Sequence, residues 1–139
     1  MLNPKVFKWF FGALLLVCVG VVFSLISGPS MPVPVRVISV TPLEDGVAVY
    51  EVLYDPGGAT VPFVYQYFLL RQQENSEAVL EEVKLSEPFL VTTSSGVVRD
   101  FSEGNLNLKV KGAVYKFKSV GEYSSNGKIK SIRFVLDNY

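Results

Sequence analysis

The chain has 139 residues, thirteen Lys and Arg against thirteen Asp and Glu, one cysteine and no histidine, so it lacks many of the groups that enzymes rely on. Without histidine there is no Ser-His-Asp or Cys-His arrangement, and the commonest general base and metal ligand are missing. Balanced charge argues against a nucleic-acid partner, and the length leaves room for one modest domain.

Trp9 to Ile26 are eighteen consecutive uncharged residues, preceded by Lys5 and Lys8 and followed by Gly28-Pro29. A bilayer core about 30 Å thick needs about 20 apolar residues in a helix, and Val6 to Ile26 supplies them if Lys8 snorkels toward the headgroups. The expectation is a cytoplasmic tail at 1–8 and a transmembrane anchor at 9–27 in contact with the lipid bilayer. Lys5 and Lys8 outweigh the single Arg36 soon after the span, which puts the N-terminus in the cytoplasm. A cleaved signal peptide is the rival reading. Its apolar core is about 7–15 residues long with a small-x-small exit, whereas this run is longer and Phe23 to Gly28 offers only weak cleavage pairs. Leu15-Leu16-Val17-Cys18 superficially resembles a bacterial lipobox, but Val17 is not small and the residues after Cys18 stay apolar. Cys18 therefore reads as a small apolar residue of the span.

Residues 28–34 contain Pro29, Pro32 and Pro34, which favour an extended linker. The domain at 35–139 has no cysteine and no N-x-Ser/Thr sequence. That favours a bacterial periplasmic domain on a single-pass inner-membrane anchor over a disulfide-stapled secreted one.

From Val35 onward, β-branched and aromatic runs alternate with Gly, Pro, Asn and Asp. Strands are expected near 35–41, 47–54, 62–71, 88–93, 97–101, 105–111, 113–121 and 128–136. The fold class is all-β: a small antiparallel sandwich or barrel of about eight strands after the transmembrane helix. A short helix near 76–83, capped by Asn75 or Ser76, would carry Val79, Leu80 and Val83 inward. Asp45-Gly46 and Asn126-Gly127 are favoured hairpin turns. In Val64 to Arg71, Tyr65 and Tyr67 share one face while Val64, Phe68 and Leu70 share the other, the mark of a central strand.

Alternation at the C-terminal end predicts two hairpins. A turn at Lys111-Gly112 would put Leu108 opposite Tyr115 and Leu106 opposite Phe117; one at Asn126-Gly127 would pair Gly121 with Ile132, Ser119 with Phe134 and Phe117 with Leu136. The opposite face would then present Lys109, Lys116, Lys118 and Arg133, with Val114, Val120 and Val135 between them. Charge is polarised along the chain, since residues 44–103 hold eleven acids and three bases, and 104–139 seven bases and two acids. Such a face is a solvated surface, a contact for an acidic protein partner, or an attraction to anionic lipid.

The carboxylate pairs Glu44/Asp45 and Glu81/Glu82 are the only enzyme-like arrangement, and adjacent acids usually point apart. No cofactor and no metal site is expected. The functional expectation is a non-catalytic protein-binding module, first as an immunity or inhibitor protein against a toxin, second as an accessory subunit of a bacterial envelope or secretion complex, and third as a carboxylate-dependent hydrolase. Oligomeric state is not legible.

Overall fold

The computed structural model describes residues 3–26 and 32–139, which belong to two compact units. In the first, Asn3 and Pro4 open the helix α1 (Pro4–Ile26), with the Asn3 carbonyl accepting from the Val6 amide at 2.9 Å. Proline suits this first position because its fixed φ is helical and its missing N–H would be unpaired anyway. The 23 residues of α1 are long and apolar enough to cross a membrane. At 1.5 Å per residue they span about 35 Å. Residues 4–8 of the expected tail are thus already helical. Ser27 and residues 28–31 of the expected linker lie outside the described residues.

The second unit has nine strands and one short helix. In chain order these are β1 (Val33–Pro42), β2 (Val47–Asp55), β3 (Val64–Arg71), α2 (Ser76–Val83), β4 (Leu90–Thr92), β5 (Val98–Ser102), β6 (Asn105–Val110), β7 (Val114–Phe117), β8 (Val120–Ser125) and β9 (Lys128–Asn138). Val33 and Pro34, expected in the linker, are already part of β1. One sheet runs β1-β2-β3-β4-β7 and is antiparallel throughout; the other runs β5-β6-β9-β8, with β6 and β9 parallel. The all-β class and the N-terminal helix are as the sequence implies.

The two sheets face each other across a core that includes Val49, Tyr67, Phe89, Leu90, Leu106, Leu108, Ile132 and Phe134. A second core lies on the other side of β2 and β3, where Ala48, Tyr50, Val52 and Phe68 meet Val79 and Val83 of α2. Asn75 caps that helix, its side chain accepting from the Ala78 amide at 2.8 Å. The layers are therefore helix, sheet and sheet. β2 is buried on both faces from Val47 to Tyr54, and β3 is central, as the two apolar faces of 64–71 imply.

The Asn126-Gly127 hairpin forms with Gly121 opposite Ile132 and the Phe134 amide donating to Ser119 at 2.8 Å, but the expected Phe117–Leu136 pair does not form, because Phe117 lies opposite Leu90 and Leu136 opposite Leu108. The Lys111-Gly112 hairpin does not form. β6 pairs with β5 and β9, while β7 pairs with β4. The loop after β4 competes for the chain beyond Val110. Thr93 N–H and the Thr92 hydroxyl both donate to the Ala113 carbonyl, and Thr93 Oγ1 accepts from the Ala113 amide. A single expected strand at 113–121 is consequently two, broken at Lys118-Ser119, where the chain passes from one sheet to the other. Facing reverses along β7: Val114 packs on the core, while Tyr115 is 60% and Phe117 36% exposed.

Candidate functional site

The strand switch at Lys118-Ser119 creates an opening between the sheets. β4 pairs with β3 only from Tyr65 to Tyr67, so the distal half of β3 lies uncovered beside β8. A cleft of about 370 Å³ results, floored by Leu69, Phe89 and Phe134 and bordered by Glu87, Lys118 and Glu122. Phe89 and Phe134 stack with ring centroids 4.0 Å apart. Gly121 completes the floor, and no larger residue fits there without displacing the Phe134 ring.

Glu87 organises the rim. Lys116 Nζ donates to one of its carboxylate oxygens and Lys118 Nζ to the other. The two ammonium groups lower the Glu87 pKa to about 2, so the carboxylate stays ionised. The lysines are tied in turn by backbone: the Lys118 amide donates to the Phe89 carbonyl at 2.7 Å.

The four predicted basic residues therefore do not form one face. Lys116 and Lys118 gather at the cleft around Glu87. Lys109 and Arg133 lie on the second sheet, in β6 and β9, where Lys109 is opposite Asp137 and Arg133 is opposite Val120. Lys109 Nζ also sits 4.3 Å from the centroid of the Tyr139 ring. The expected face rested on the hairpin that does not form. Arg133 and Val120 still connect the second sheet with the edge of the cleft, while Lys109, on β6, lies beside the far end of β9.

The adjacent acids are occupied separately. Glu81 pairs with Lys84 at 2.6 Å, and Glu82 accepts from the Gln73 amide group. Asp45 pairs with Lys130 at 2.5 Å and accepts from the Tyr123 hydroxyl at 3.2 Å. The Lys130 hydrogen bond holds the Asp45 pKa below its ordinary value, and Asp45 raises that of Lys130. Among the described residues, no three His, Cys, Asp or Glu gather where they could hold a metal ion.

One carboxylate escapes a sequence reading that weighs only pairs. Glu51 is 2% exposed, in the middle of β2. It accepts from the Ser39 hydroxyl at 2.9 Å, from the Ser95 hydroxyl and from the Gly96 amide at 3.2 Å. The Tyr67 hydroxyl, on the strand opposite, donates to the Ser94 carbonyl at 2.9 Å, and burial together with the nearby Glu51 charge raises its pKa. Glu51 thus clasps the edge strand β1 and the β4–β5 loop to the central strand. The signal in the sequence is a lone acid in the apolar run Val47 to Tyr54. Its oxygens are all engaged by the protein, which makes the clasp structural.

Compared with protein families, curated proteins and solved structures, the chain matches none.

Proposed function

We propose that this is a membrane-anchored, non-catalytic protein-binding module of the bacterial periplasm, held by α1 in the inner membrane with its N-terminus cytoplasmic, and acting as an immunity or inhibitor protein against a toxin. The observation that carries the reading is the cleft at the strand switch. It sets the exposed Val120 and the edge of Leu69, over the buried Phe89–Phe134 pair, beside the ionic rim of Glu87, Lys116 and Lys118, a mixture of apolar area and oriented charge that protein contacts use. Glu87 is unsuited to general acid chemistry, because its pKa of about 2 keeps it deprotonated near neutral pH. Glu51 is closed off by its own hydrogen bonds. Lys116, Lys118 and Arg133 supply the basic side chains of the contact, and the bound surface would carry an acidic or mixed patch with one apolar side chain for the cleft.

Crosslinking of the full-length protein in intact cells, followed by affinity purification and mass spectrometry, tests this reading. Recovery of one soluble protein whose toxicity the chain suppresses is the expected result. Recovery of several membrane proteins would replace it with an accessory subunit of an envelope complex. Hydrolytic activity lost on changing one carboxylate, with folding intact, would overturn the binding reading altogether.

A further inference from the structure

A second surface lies at the end of the β domain where the chain enters it. The register of β1 and β2 puts Val33 opposite Asp55, so the β2–β3 loop, residues 56–63, shares the end at which residue 32 begins the domain. This loop is apolar and exposed along its second half: Val61 is 50% and Phe63 56% exposed, and neighbouring Val33 is 60% exposed. Its sequence, Pro-Gly-Gly-Ala-Thr-Val-Pro-Phe, holds no charge, and the next charged residue along the chain is Arg71. Asp55 at its base accepts from the Gly57 amide at 2.8 Å, so its carboxylate is turned onto the loop's own backbone. The β1–β2 turn at the other end carries Glu44 and Asp45 instead.

The length of the chain says what the loop meets. Ile26 ends α1 and Pro32 opens the second unit, with five residues between them. Fully extended, six Cα steps reach no more than about 22 Å. Residue 32, where the domain begins beside the β2–β3 loop, can therefore be no farther than about 22 Å from the end of α1, a limit that the Asp45 end does not share. Exposed valine and phenylalanine on an uncharged loop are costly in water and are favoured at the boundary between headgroups and acyl chains.

We propose that the β2–β3 loop is a lipid-contacting element, which places Val61 and Phe63 in the headgroup–acyl boundary of the bilayer that holds α1. The proposal rests on the anchoring reading but not on the identity of any protein partner.

The test uses the full chain in liposomes of phosphatidylcholine brominated at a shallow acyl position, with Trp9 as the native tryptophan. In a Trp9→Phe background, Phe63→Trp and separately Val61→Trp report on the loop. Ile129→Trp reports on the opposite end, where Lys130 pairs with Asp45. The expected result is strong quenching and a blue shift for the two loop reporters, with Ile129→Trp emission unchanged between brominated and ordinary lipid. Quenching of Trp9 in the unaltered chain without quenching of either loop reporter overturns the proposal and leaves anchoring intact. An unquenched Trp9 overturns the anchoring and the proposal together. Equal quenching at all three domain positions, the sign of nonspecific adsorption, also overturns it.

Discussion

Gly121 lies directly against the ring of Phe134: a Cβ at that position would stand 2.6 Å from Cζ and 2.9 Å from Cδ2 of Leu69. The close approach of β8 to β3 and the floor of the cleft both depend on the missing side chain. Gly121→Ala should destabilise the domain by about 1–3 kcal/mol through overpacking. Combining it with Phe134→Leu should cost less than the sum of the two changes, because the smaller side chain relieves the clash. Urea denaturation of the full chain in detergent measures both. Additivity would place the glycine's role elsewhere.

Glu51 leads to a second prediction. Glu51→Ala removes the acceptor for Ser39, Ser95 and the Gly96 amide at a site with 2% exposure. The loss should be about 1–3 kcal/mol, the cost of leaving buried donors unpaired. Glu51→Gln keeps one carbonyl oxygen and should lose less. Hydrogen exchange at Gly96 should rise in Glu51→Ala beyond the change seen at Ile132, which is in the other sheet. Uniform exchange across both would deny the clasp.

Glu87 gives the domain a small acid sensitivity, screened by solvent because its two ion pairs are exposed. Its folded pKa, about 2, is below its ordinary 4.5, with Lys116 and Lys118 as the cause. A depressed carboxylate pKa contributes stability that is fully present above the unfolded value and is lost as pH falls through the folded one. The window is therefore from 4.5 down to about 2. Carboxyl-carbon NMR titration should place the Glu87 midpoint well below that of an ordinary glutamate in the unaltered chain, and Lys116→Met with Lys118→Met should return it toward 4.5. A midpoint that does not move in the double variant would sever the link to the lysines.

Division of the basic residues between the sheets gives a prediction on binding. Lys116→Glu with Lys118→Glu should weaken partner binding by at least about tenfold, the effect of some 1.4 kcal/mol. Lys109→Glu, remote from the cleft, should leave affinity within about twofold, the scale of a neutral rim contact. Isothermal titration with the partner recovered from cells reads both. Equal losses from the two would restore a single continuous basic face, and no loss from either would reduce these lysines to solvated surface.

Much of this architecture is legible in the residues alone. Trp9 to Ile26 can be little other than a membrane-compatible helix, because length and apolarity are local properties. Asp45-Gly46 and Asn126-Gly127 make their turns because those pairs accept positive φ, observed at 58° and 71° in the first and 50° and 74° in the second. Asn75 caps α2 for an equally local reason. The same holds for the central place of Val64 to Arg71, whose two apolar faces both need cover.

Tertiary structure decided the rest, wherever one alternating pattern admits several neighbours. Leu106, Leu108 and Val110 suit a hairpin partner as well as a distant parallel one, and period-two alternation cannot distinguish Tyr115 from Leu136 as the residue opposite Leu108. The choice falls to Leu136 because the loop after β4 captures Ala113 and carries β7 into the other sheet. That choice reversed the facing of Tyr115 and Phe117, separated Lys116 and Lys118 from Lys109, and opened the cleft. Chain-local chemistry determines which elements form. Competition among long-range hydrogen-bonding partners determines which of their side chains end up together.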